Sequence, residues 1–353
     1  MKETYNVLPE DYTGHLPFAE ADDLNLWENH GWAIRSTEGD GDALLWASPY
    51  LLRSRRDGPF IKEKFCALQS MVAHVNYTAE QKRRMHDNDF LAIGWDGMRD
   101  LRDVGELEID VRTDRAVWSI DDMRFTAAPP TWAIHGTHRD VRYDVVLEAC
   151  EPAIWLTDRH TTALENGDRW FLVNARSRGQ LNLAGGEIPV SGMGWHERHV
   201  HLNDYYDPAD LLEGPGIVFH NGYAADLQVH LMARPRRGVY RARILHDGAS
   251  YDFSGSQMIS VETVQEWIDP RTRMSVPCTW LLRIGDGSAD LELHVQAFAR
   301  TFYLWNFLTG GVNILYWWIA ESVGRFVPPS GRRIDIAHMK HMVHQNRVMY
   351  RYS

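Results

Sequence analysis

The clearest strand and turn signals of the chain lie between Arg169 and Leu202, in RWFLVNARSRGQLNLAGGEIPVSGMGWHERHVHL. It reads as a strand, a turn at Gly185 and Gly186, and a returning strand that begins near Ile188, because paired glycines separate two runs of strand-forming residues. Similar short runs, among them ALLWASPYLL, RYDVVLEA and ADLELHVQAF, recur along the chain between Gly, Asp, Asn or Pro residues. The sequence therefore predicts an all-β protein built from barrels or sandwiches.

Helix is predicted to be a minor component. The one clear signal lies in YTAEQKRRMHDNDF, where Thr78 is a candidate N-cap and Gln81 follows three residues later, the spacing of a capping box.

The apolar segment from Phe302 to Ile319, FYLWNFLTGGVNILYWWI, is nearly long enough to cross a bilayer. Its centre contains asparagines, a threonine and the pair Gly310 and Gly311, which is typical of a tight turn between two strands. We expect a hairpin in a soluble protein, with no integral membrane association.

The composition limits the size, the partners and the location of the protein. A chain of 353 residues with 44% hydrophobic content is long enough for two domains that each bury a core. The formal net charge of −11, without a basic run, argues against nucleic acid and anionic membranes as partners. The three cysteines are far apart and no export signal is visible, so we expect a reduced, cytoplasmic protein.

A domain boundary is predicted in NDYYDPADLLEGPG, where Pro208 and the following Gly-Pro-Gly interrupt the strand pattern. This gives an N-terminal domain of residues 1–207 and a C-terminal domain of residues 208–353. The break ARPRRG at residues 233–238 is either a hairpin end inside the second domain or an alternative linker.

Polar residues are concentrated in GMGWHERHVHLNDYYD, residues 192–207, at the end of the returning strand. Side chains of a strand alternate between its two faces. Unless a bulge at Gly192 or Gly194 shifts the register, one face carries Trp195, Glu197, His199 and His201, and the other carries His196, Arg198 and Val200. A carboxylate beside imidazoles is a plausible acid–base set, because each group can tune the pKa of its neighbour.

Two other interpretations of this cluster stay open. The residues can be structural groups at a rim, with Glu197 paired to Arg198 or another cation. They can also be metal ligands, since Glu197 and His199-x-His201 have the right residue types. The glutamate expected four or five residues after the second histidine is missing, however, because Tyr205 and Tyr206 stand there. His338, His341 and His344 in HMKHMVHQN do not match H-E-x-x-H. The sequence therefore predicts no metal, and the absence of a dinucleotide or phosphate-binding motif predicts no other cofactor.

The stretch WFLVNARSRGQLNLAGGEIPVSGMGWHER resembles the strand, small-residue turn and V-S-G-x-[AG]-[WY]-x-[DE] element of the carotenoid 1,2-hydratase and AttH-like family. VQEWIDPRTRMSVPCTWLLRI and LYWWIAESVGRF are similar to elements of that family's second domain, in the same order. The resemblance covers residues 170–326 and, more faintly, WENHGWAI near the start. It implies two lipocalin-like antiparallel β-barrels in tandem, a pocket for an apolar ligand and no cofactor.

The family includes hydratases and dehydratases of isoprenoid chains and relatives that catalyse Diels–Alder and other cyclisations. Its hydratases carry an Asp-His-x-Trp element, in which Glu197 matches the acid. Arg198 and Val200 stand at the His and Trp positions, and this departure argues against carotenoid hydration itself.

These observations predict a cofactor-independent lyase or isomerase that hydrates, dehydrates or cyclises at a C=C bond of a hydrophobic small molecule. Glu197 is the candidate acid, and His199 and His220 are candidates for the base or for orienting water. The alternatives are a pericyclase that acts by the shape of its pocket and a carrier without activity. Candidate substrate-binding residues are Trp195 in the pocket wall, and His196, Arg198, Tyr223, Asn29 and His30.

Overall fold

The computed structural model describes residues 7–12, 26–38, 43–47, 50–55, 65–74, 78–81, 83, 96–155, 168–183, 186–202, 218–224, 226–235, 238–270, 273–306 and 311–350. The chain divides into two compact units. Unit 1 comprises Met1–Asn76, Trp95–Asp207 and Phe307–Thr309, and unit 2 comprises Tyr77–Gly94, Pro208–Asn306 and Gly310–Ser353. In both units the described residues form antiparallel strands with almost no helix, which confirms the predicted all-β class.

Unit 1 contains one curled antiparallel sheet. Its described strands are β1 (Leu26–Glu38), β2 (Ala43–Ala47), β3 (Tyr50–Arg55), β4 (Phe65–His74), β5 (Asp96–Asp103), β6 (Glu108–Val111), β7 (Ala116–Ile120), β8 (Met123–Ala128), β9 (Thr131–His138), β10 (Val141–Ala149), β11 (Ile154–Trp155), β12 (Asp168–Leu183) and β13 (Gly186–Leu202). The main path of the sheet is β2-β4-β3-β1-β13-β12-β10-β9-β8-β7-β6, so β1 pairs with the last strand of the unit. Short 3-10 turns lie at Pro9–Tyr12 and Val104–Glu106.

Unit 2 contains a second curled sheet with the order β17-β16-β15-β14-β22-β21-β20-β19-β18. Its described strands are β14 (Val218–Tyr223), β15 (Leu227–Arg234), β16 (Val239–His246), β17 (Ala249–Ser254), β18 (Ile259–Ile268), β19 (Ser275–Gly285), β20 (Asp290–Asn306), β21 (Gly311–Val327) and β22 (Ile334–Tyr350).

Each sheet buries one face in a hydrophobic core. Strand β10 shows the pattern most simply, because Val141, Tyr143, Val145 and Leu147 are buried in the core of unit 1 while the intervening side chains are largely exposed. This period of two is what a half-buried strand requires. Many of the tryptophans fill the cores, including Trp32, Trp118 and Trp132 in unit 1 and Trp280 and Trp318 in unit 2.

The hairpin predicted from the central stretch is present as β12 and β13. Leu183 pairs with Gly186, and the pairing continues without a register shift to Asp168 and His201. Gly186 has a φ of 128°, a backbone conformation that favours glycine at a hairpin turn. A bulge at Gly192 or Gly194 is therefore not formed in this pair.

The predicted capping box and the predicted pairing of the two apolar strand runs are also present. The Thr78 hydroxyl accepts a hydrogen bond from the Gln81 amide (3.2 Å), and the Gln81 side chain accepts one from the Thr78 amide (2.8 Å), which is a capping box. Residues 302–319 lie in the antiparallel pair β20 and β21, apart from residues 307–310, which lie outside the described part. Within the described residues, no helix is both long and apolar enough to cross a membrane.

Candidate active site

Strand β13 carries its polar residues on two faces, as the sequence predicts. The cross-strand pairs of His196 with Trp32 and Val173, and of Arg198 with Phe171, place even-numbered residues on the face that contacts the core of unit 1. The odd-numbered residues, Trp195, Glu197 and His199, lie on the opposite face.

On the core face, His196 is the centre of a directed chain of hydrogen bonds. Its Nδ1–H donates to the carbonyl of Gly31 (3.1 Å), so its Nε2 accepts from the hydroxyl of Tyr12 (3.0 Å). The Tyr12 oxygen accepts in turn from the indole of Trp132. Burial lowers the pKa of His196 to about 3, with the Gly31 carbonyl opposing the shift. His196 is therefore a neutral, buried group, which also stacks on Trp32 (ring centroids 4.8 Å apart). Its predicted role in substrate binding stays a prediction.

Arg198 and His30 lie on this same core face, in register with each other. The Arg198 guanidinium lies 5.4 Å from the centroid of the Trp118 ring, a cation–π contact, and His30 contacts the same ring edge-on at 4.1 Å. Tyr12 stacks on His30 with ring centroids 5.5 Å apart. These contacts place Arg198, His30 and Tyr12 in the interior of unit 1. The substrate-binding roles predicted for Arg198 and His30 stay predictions.

The 3-10 turn that carries Tyr12 is anchored by an ion pair. Asp11 Oδ1 lies 2.5 Å from a guanidinium nitrogen of Arg169, and both side chains are more than nine-tenths buried. Arg169 also lies over the ring of Trp155 (5.2 Å).

The opposite face of β13 forms the candidate site. Trp195, Glu197 and His199 are 4%, 8% and 5% exposed, so they are buried although they point away from the core. His199 stacks on its cross-strand neighbour Trp170, with ring centroids 4.1 Å apart and an interplanar angle of 13°. Asn29 is the partner of His199 on β1, but its side chain lies outside the described part.

Glu197 is the residue whose protonation is most strongly affected by this environment. Burial raises its pKa to about 8, and the nearby indole N–H of Trp170 opposes the shift. Arg198 cannot neutralise the carboxylate, because it lies on the other face of the strand. Glu197 is therefore a carboxylic acid that keeps its proton at pH 7.

The space beside Glu197 differs on its two flanks. Its neighbour on β12 is Leu172, whereas its neighbour on β1 is Gly31, which has no side chain. Directly paired residues of antiparallel strands have side chains only about 5 Å apart, so Leu172 flanks the carboxyl group on one side while Gly31 places no side chain on the other.

The two predicted site residues of the second half lie in unit 2. His220 is fully buried in its core, edge-on to Trp280 (5.4 Å) and His341 (5.3 Å). Burial and the nearby His341 hold the pKa of His220 well below its usual value. Tyr223 lies on the other face of β14, in edge-on contact with His230 (5.5 Å). The roles predicted for both residues stay predictions.

Sequence reasoning missed Trp170 and Tyr12. Trp170 lies in the first strand of the predicted hairpin. Counting the cross-strand pairs back from Leu183 and Gly186 places it opposite His199. Tyr12 had no comparable signal, because the segment around it lacks a strand or helix period. Among the described residues, no group of three His, Cys, Asp or Glu side chains is arranged to hold a metal ion.

No protein-family model matches the chain, and no curated protein matches it. Two solved structures share its fold. An AttH-like protein from Nitrosomonas europaea aligns with a TM-score of 0.54 and 14% identity, covering 95% of this chain and 98% of the other. CghA, whose crystal structure was determined with Sch210972, aligns with a TM-score of 0.57 and 12% identity, covering 92% of this chain and 89% of the other.

The chain is thus an all-β protein of two lipocalin-like units. It shares this tandem fold with the AttH-like protein and with CghA, which agrees with the resemblance of the sequence motifs.

Proposed function

We propose that the protein is a cofactor-independent enzyme that transfers protons at a C=C bond of a hydrophobic small molecule of isoprenoid or polyketide type. The observation that carries this proposal is the buried carboxyl group of Glu197, with its pKa raised to about 8. A carboxylic acid that is neutral at pH 7 can protonate an alkene carbon or a leaving hydroxyl group. Hydration, dehydration, double-bond migration and proton-initiated cyclisation all need such a group.

The steps can be assigned to this chain's own residues. Glu197 gives its proton to one alkene carbon and becomes a carboxylate, while the other carbon becomes a cation. The indole faces of Trp195 and Trp170 favour a cation in their vicinity. The carboxylate then removes a proton from an adjacent carbon, which moves the double bond, or from a water molecule that attacks the cation, which completes hydration.

His199 supports this chemistry from the next position on the same face. Its ring is held flat against Trp170, so its orientation is restricted. An imidazole in this place can accept the proton of the water that attacks during hydration. In dehydration it can remove the proton from the neighbouring carbon while Glu197 protonates the leaving hydroxyl group.

The experiment first identifies a substrate and then measures turnover in a variant without the Glu197 carboxyl group. The purified protein is incubated with a lipid-soluble extract of the source organism, and mass spectrometry follows gain of water, loss of water, or products of unchanged mass. Glu197→Gln keeps the shape and removes the titrating group, and we expect turnover to fall by about 10²–10⁴-fold. Glu187→Gln, at an exposed position of the same strand, is the matched control and should keep full turnover.

The pH profile gives an independent reading. Because the protonated form of Glu197 is the active one, the wild-type rate should fall as the pH rises through about 8. Near-normal turnover of Glu197→Gln would contradict the proposal and favour a pericyclase that acts by shape. Retention of a ligand by the wild-type protein without any conversion would favour a carrier.

A further inference from the structure

Unit 2 has an open cleft where strands β18, β19, β20 and β21 come together at one end of the sheet, with a volume of about 540 Å³. The cleft is lined by three arginines, Arg283, Arg325 and Arg333, whose side chains are about half exposed. The half-buried side chains of Met258 and Val327 also line it. The cleft thus combines accessible cationic groups with apolar surface, as small-molecule sites do.

Carboxylates on neighbouring strands hold these arginines in place. Arg283 pairs across the strands with Glu292, Glu292 with Arg325, and Arg325 with Asp335, so the sign of the charge alternates from β19 to β22. Oε2 of Glu292 accepts a hydrogen bond from Nε of Arg283 (3.0 Å), and Oε1 lies 3.3 Å from Nη2 of Arg325. Oδ1 of Asp335 accepts from Nε of Arg333 (2.7 Å). The guanidinium groups therefore have a fixed order along the wall of the cleft.

These ion pairs leave most donors of Arg325 and Arg333 available. A guanidinium carries five N–H groups in a planar fork. Within the described residues, Arg325 makes its ion pair through Nη2 alone and Arg333 makes its own through Nε alone. The hydroxyl group of Ser260, which also lines the cleft, is one more donor. Because both oxygens of Glu292 are already paired, the cleft offers hydrogen-bond donors in excess of acceptors.

Net charge alone does not attract an anion to this cleft. Glu292 and Asp290 line it together with the arginines, and Glu262 and Asp335 pair with Arg283 and Arg333 beside it. The whole chain also carries a formal net charge of −11. An anion must therefore be held by direct hydrogen bonds from the guanidinium forks, which match the oxygens of phosphate and carboxylate groups.

We propose that this cleft binds the phosphate group of a small phosphate ester, through Arg325 and Arg333. A phosphate group has three acceptor oxygens, so it can accept hydrogen bonds from two guanidinium forks, whereas the two oxygens of a carboxylate are filled by one fork. The organic part of the ester contacts Met258 and Val327. The site does not involve Glu197, so the proposal stands or falls separately from the proposed function.

The first test uses phenyl phosphate as the probe and benzoate, which has the same ring but a carboxylate, as its comparison. Titration calorimetry of the full chain in a phosphate-free buffer of low salt should show phenyl phosphate binding roughly fivefold more tightly than benzoate, the effect of additional charged hydrogen bonds at a solvent-exposed site. Sodium chloride at about 0.5 M should weaken the binding of phenyl phosphate several-fold, because salt screens exposed charges.

Variants of the two arginines test which side chains bind the probe. Arg325→Gln and Arg333→Gln should each weaken the binding of phenyl phosphate by about three- to tenfold. Arg325→Lys keeps the charge but not the planar fork, so it should weaken binding as well. Arg142→Gln, at an exposed position of β10 in unit 1, is the matched control and should bind as the wild type does. Thermal unfolding checks that each variant is folded.

The second test locates the probe on the molecule. In protein with 13C-labelled methionine methyl groups, phenyl phosphate should shift the NMR signal of Met258, which lines the cleft, and leave that of Met123 in the core of unit 1 unchanged. The absence of binding to the wild-type protein at low salt, benzoate binding as tightly as phenyl phosphate, unchanged affinity in both glutamine variants, or an unshifted Met258 signal would each overturn the proposal.

Discussion

The two faces of β13 carry similar residue types in different chemical situations. On the core face, His196 has a hydrogen-bond partner on each ring nitrogen and stays neutral down to about pH 3. On the opposite face, Glu197 is buried away from the Arg198 guanidinium and keeps its proton up to about pH 8. Residue type alone therefore does not show the protonation state of a group in this strand. The protonation state depends on what each side chain contacts.

The first prediction removes an ion pair on the core face and has the largest expected effect on stability. Asp11→Ala leaves the buried Arg169 guanidinium without its carboxylate, which should lower the free energy of unfolding by about 3–5 kcal/mol. Denaturant unfolding followed by tryptophan fluorescence measures this loss. Asp144→Ala removes an exposed carboxylate that pairs with His135, and it should cost less than about 1 kcal/mol. Equal losses in both variants would show that the Asp11 contact has no special weight.

The second prediction compares how His196 and Glu197, on the two faces of β13, make the free energy of unfolding depend on pH. The folded-state pKa of His196 is lowered, so its effect on stability is unfavourable as pH falls below 6.5 toward 3. The folded-state pKa of Glu197 is raised, so the stability it contributes is complete below pH 4.5 and is lost as pH rises toward 8. Each effect is on the order of a few kcal/mol.

Unfolding measured from pH 4 to pH 9 separates these contributions. His196→Asn should remove only part of the loss of stability at low pH. The rest should remain, because the buried His220 and His341 of unit 2 also have lowered pKa values. Glu197→Gln should flatten the stability curve between about pH 4.5 and pH 8 and leave it unchanged below pH 4.5. The same change of slope in both variants would disprove the distinction between the faces.

The third prediction concerns the hydroxyl group of Tyr12. Tyr12→Phe keeps the ring stacking but leaves Nε2 of His196 and the indole N–H of Trp132 without this partner, which should cost about 1–3 kcal/mol of stability. Turnover per folded molecule should not change, since the hydroxyl lies on the core face. Tyr251→Phe, at a half-buried position of unit 2, is the control. A loss of turnover without a loss of stability would place the reactive groups on the core face instead.

The fourth prediction tests the effect of Trp170 on the pKa of Glu197, on the opposite face of β13, and has the smallest expected effect. Trp170→Phe removes the N–H that opposes the raised pKa of Glu197, so the alkaline limb of the rate should move upward by less than about one pH unit. The stacking with His199 should be kept, because a phenyl ring replaces the indole. A downward movement of the limb would contradict the assigned cause of the shift.

Much of the fold was predictable, because local patterns and tertiary contacts agree. Paired glycines between strand runs gave the hairpin β12–β13, and the spacing of Thr78 and Gln81 gave the capping box. Alternation also gave the correct sharing of faces along residues 195–200.

Alternation could not show which face of β13 contacts the core. Both faces carry aromatic and polar residues and both are buried, so the hydrophobic pattern that identifies the core side of a strand such as β10 is absent here. The information lies on the neighbouring strand β1, where Trp32 and Ile34 belong to the core cluster. Because Trp32 pairs with His196, the even-numbered residues of β13 lie on the core side. The interior place of His220 was missed for the same reason, since all six residues of β14 are buried.

The pairing of β1 with β13 has a consequence for the order of folding. β12 and β13 are consecutive in the chain and can pair early. β1 can pair with β13 only after nearly all of unit 1 has been synthesised, and this pairing closes a long loop. Gly31, the cross-strand neighbour of Glu197, belongs to β1. The amide hydrogens between β1 and β13 should therefore exchange with deuterium sooner than those between β12 and β13, and Glu197 would become accessible to solvent before the rest of the sheet opens.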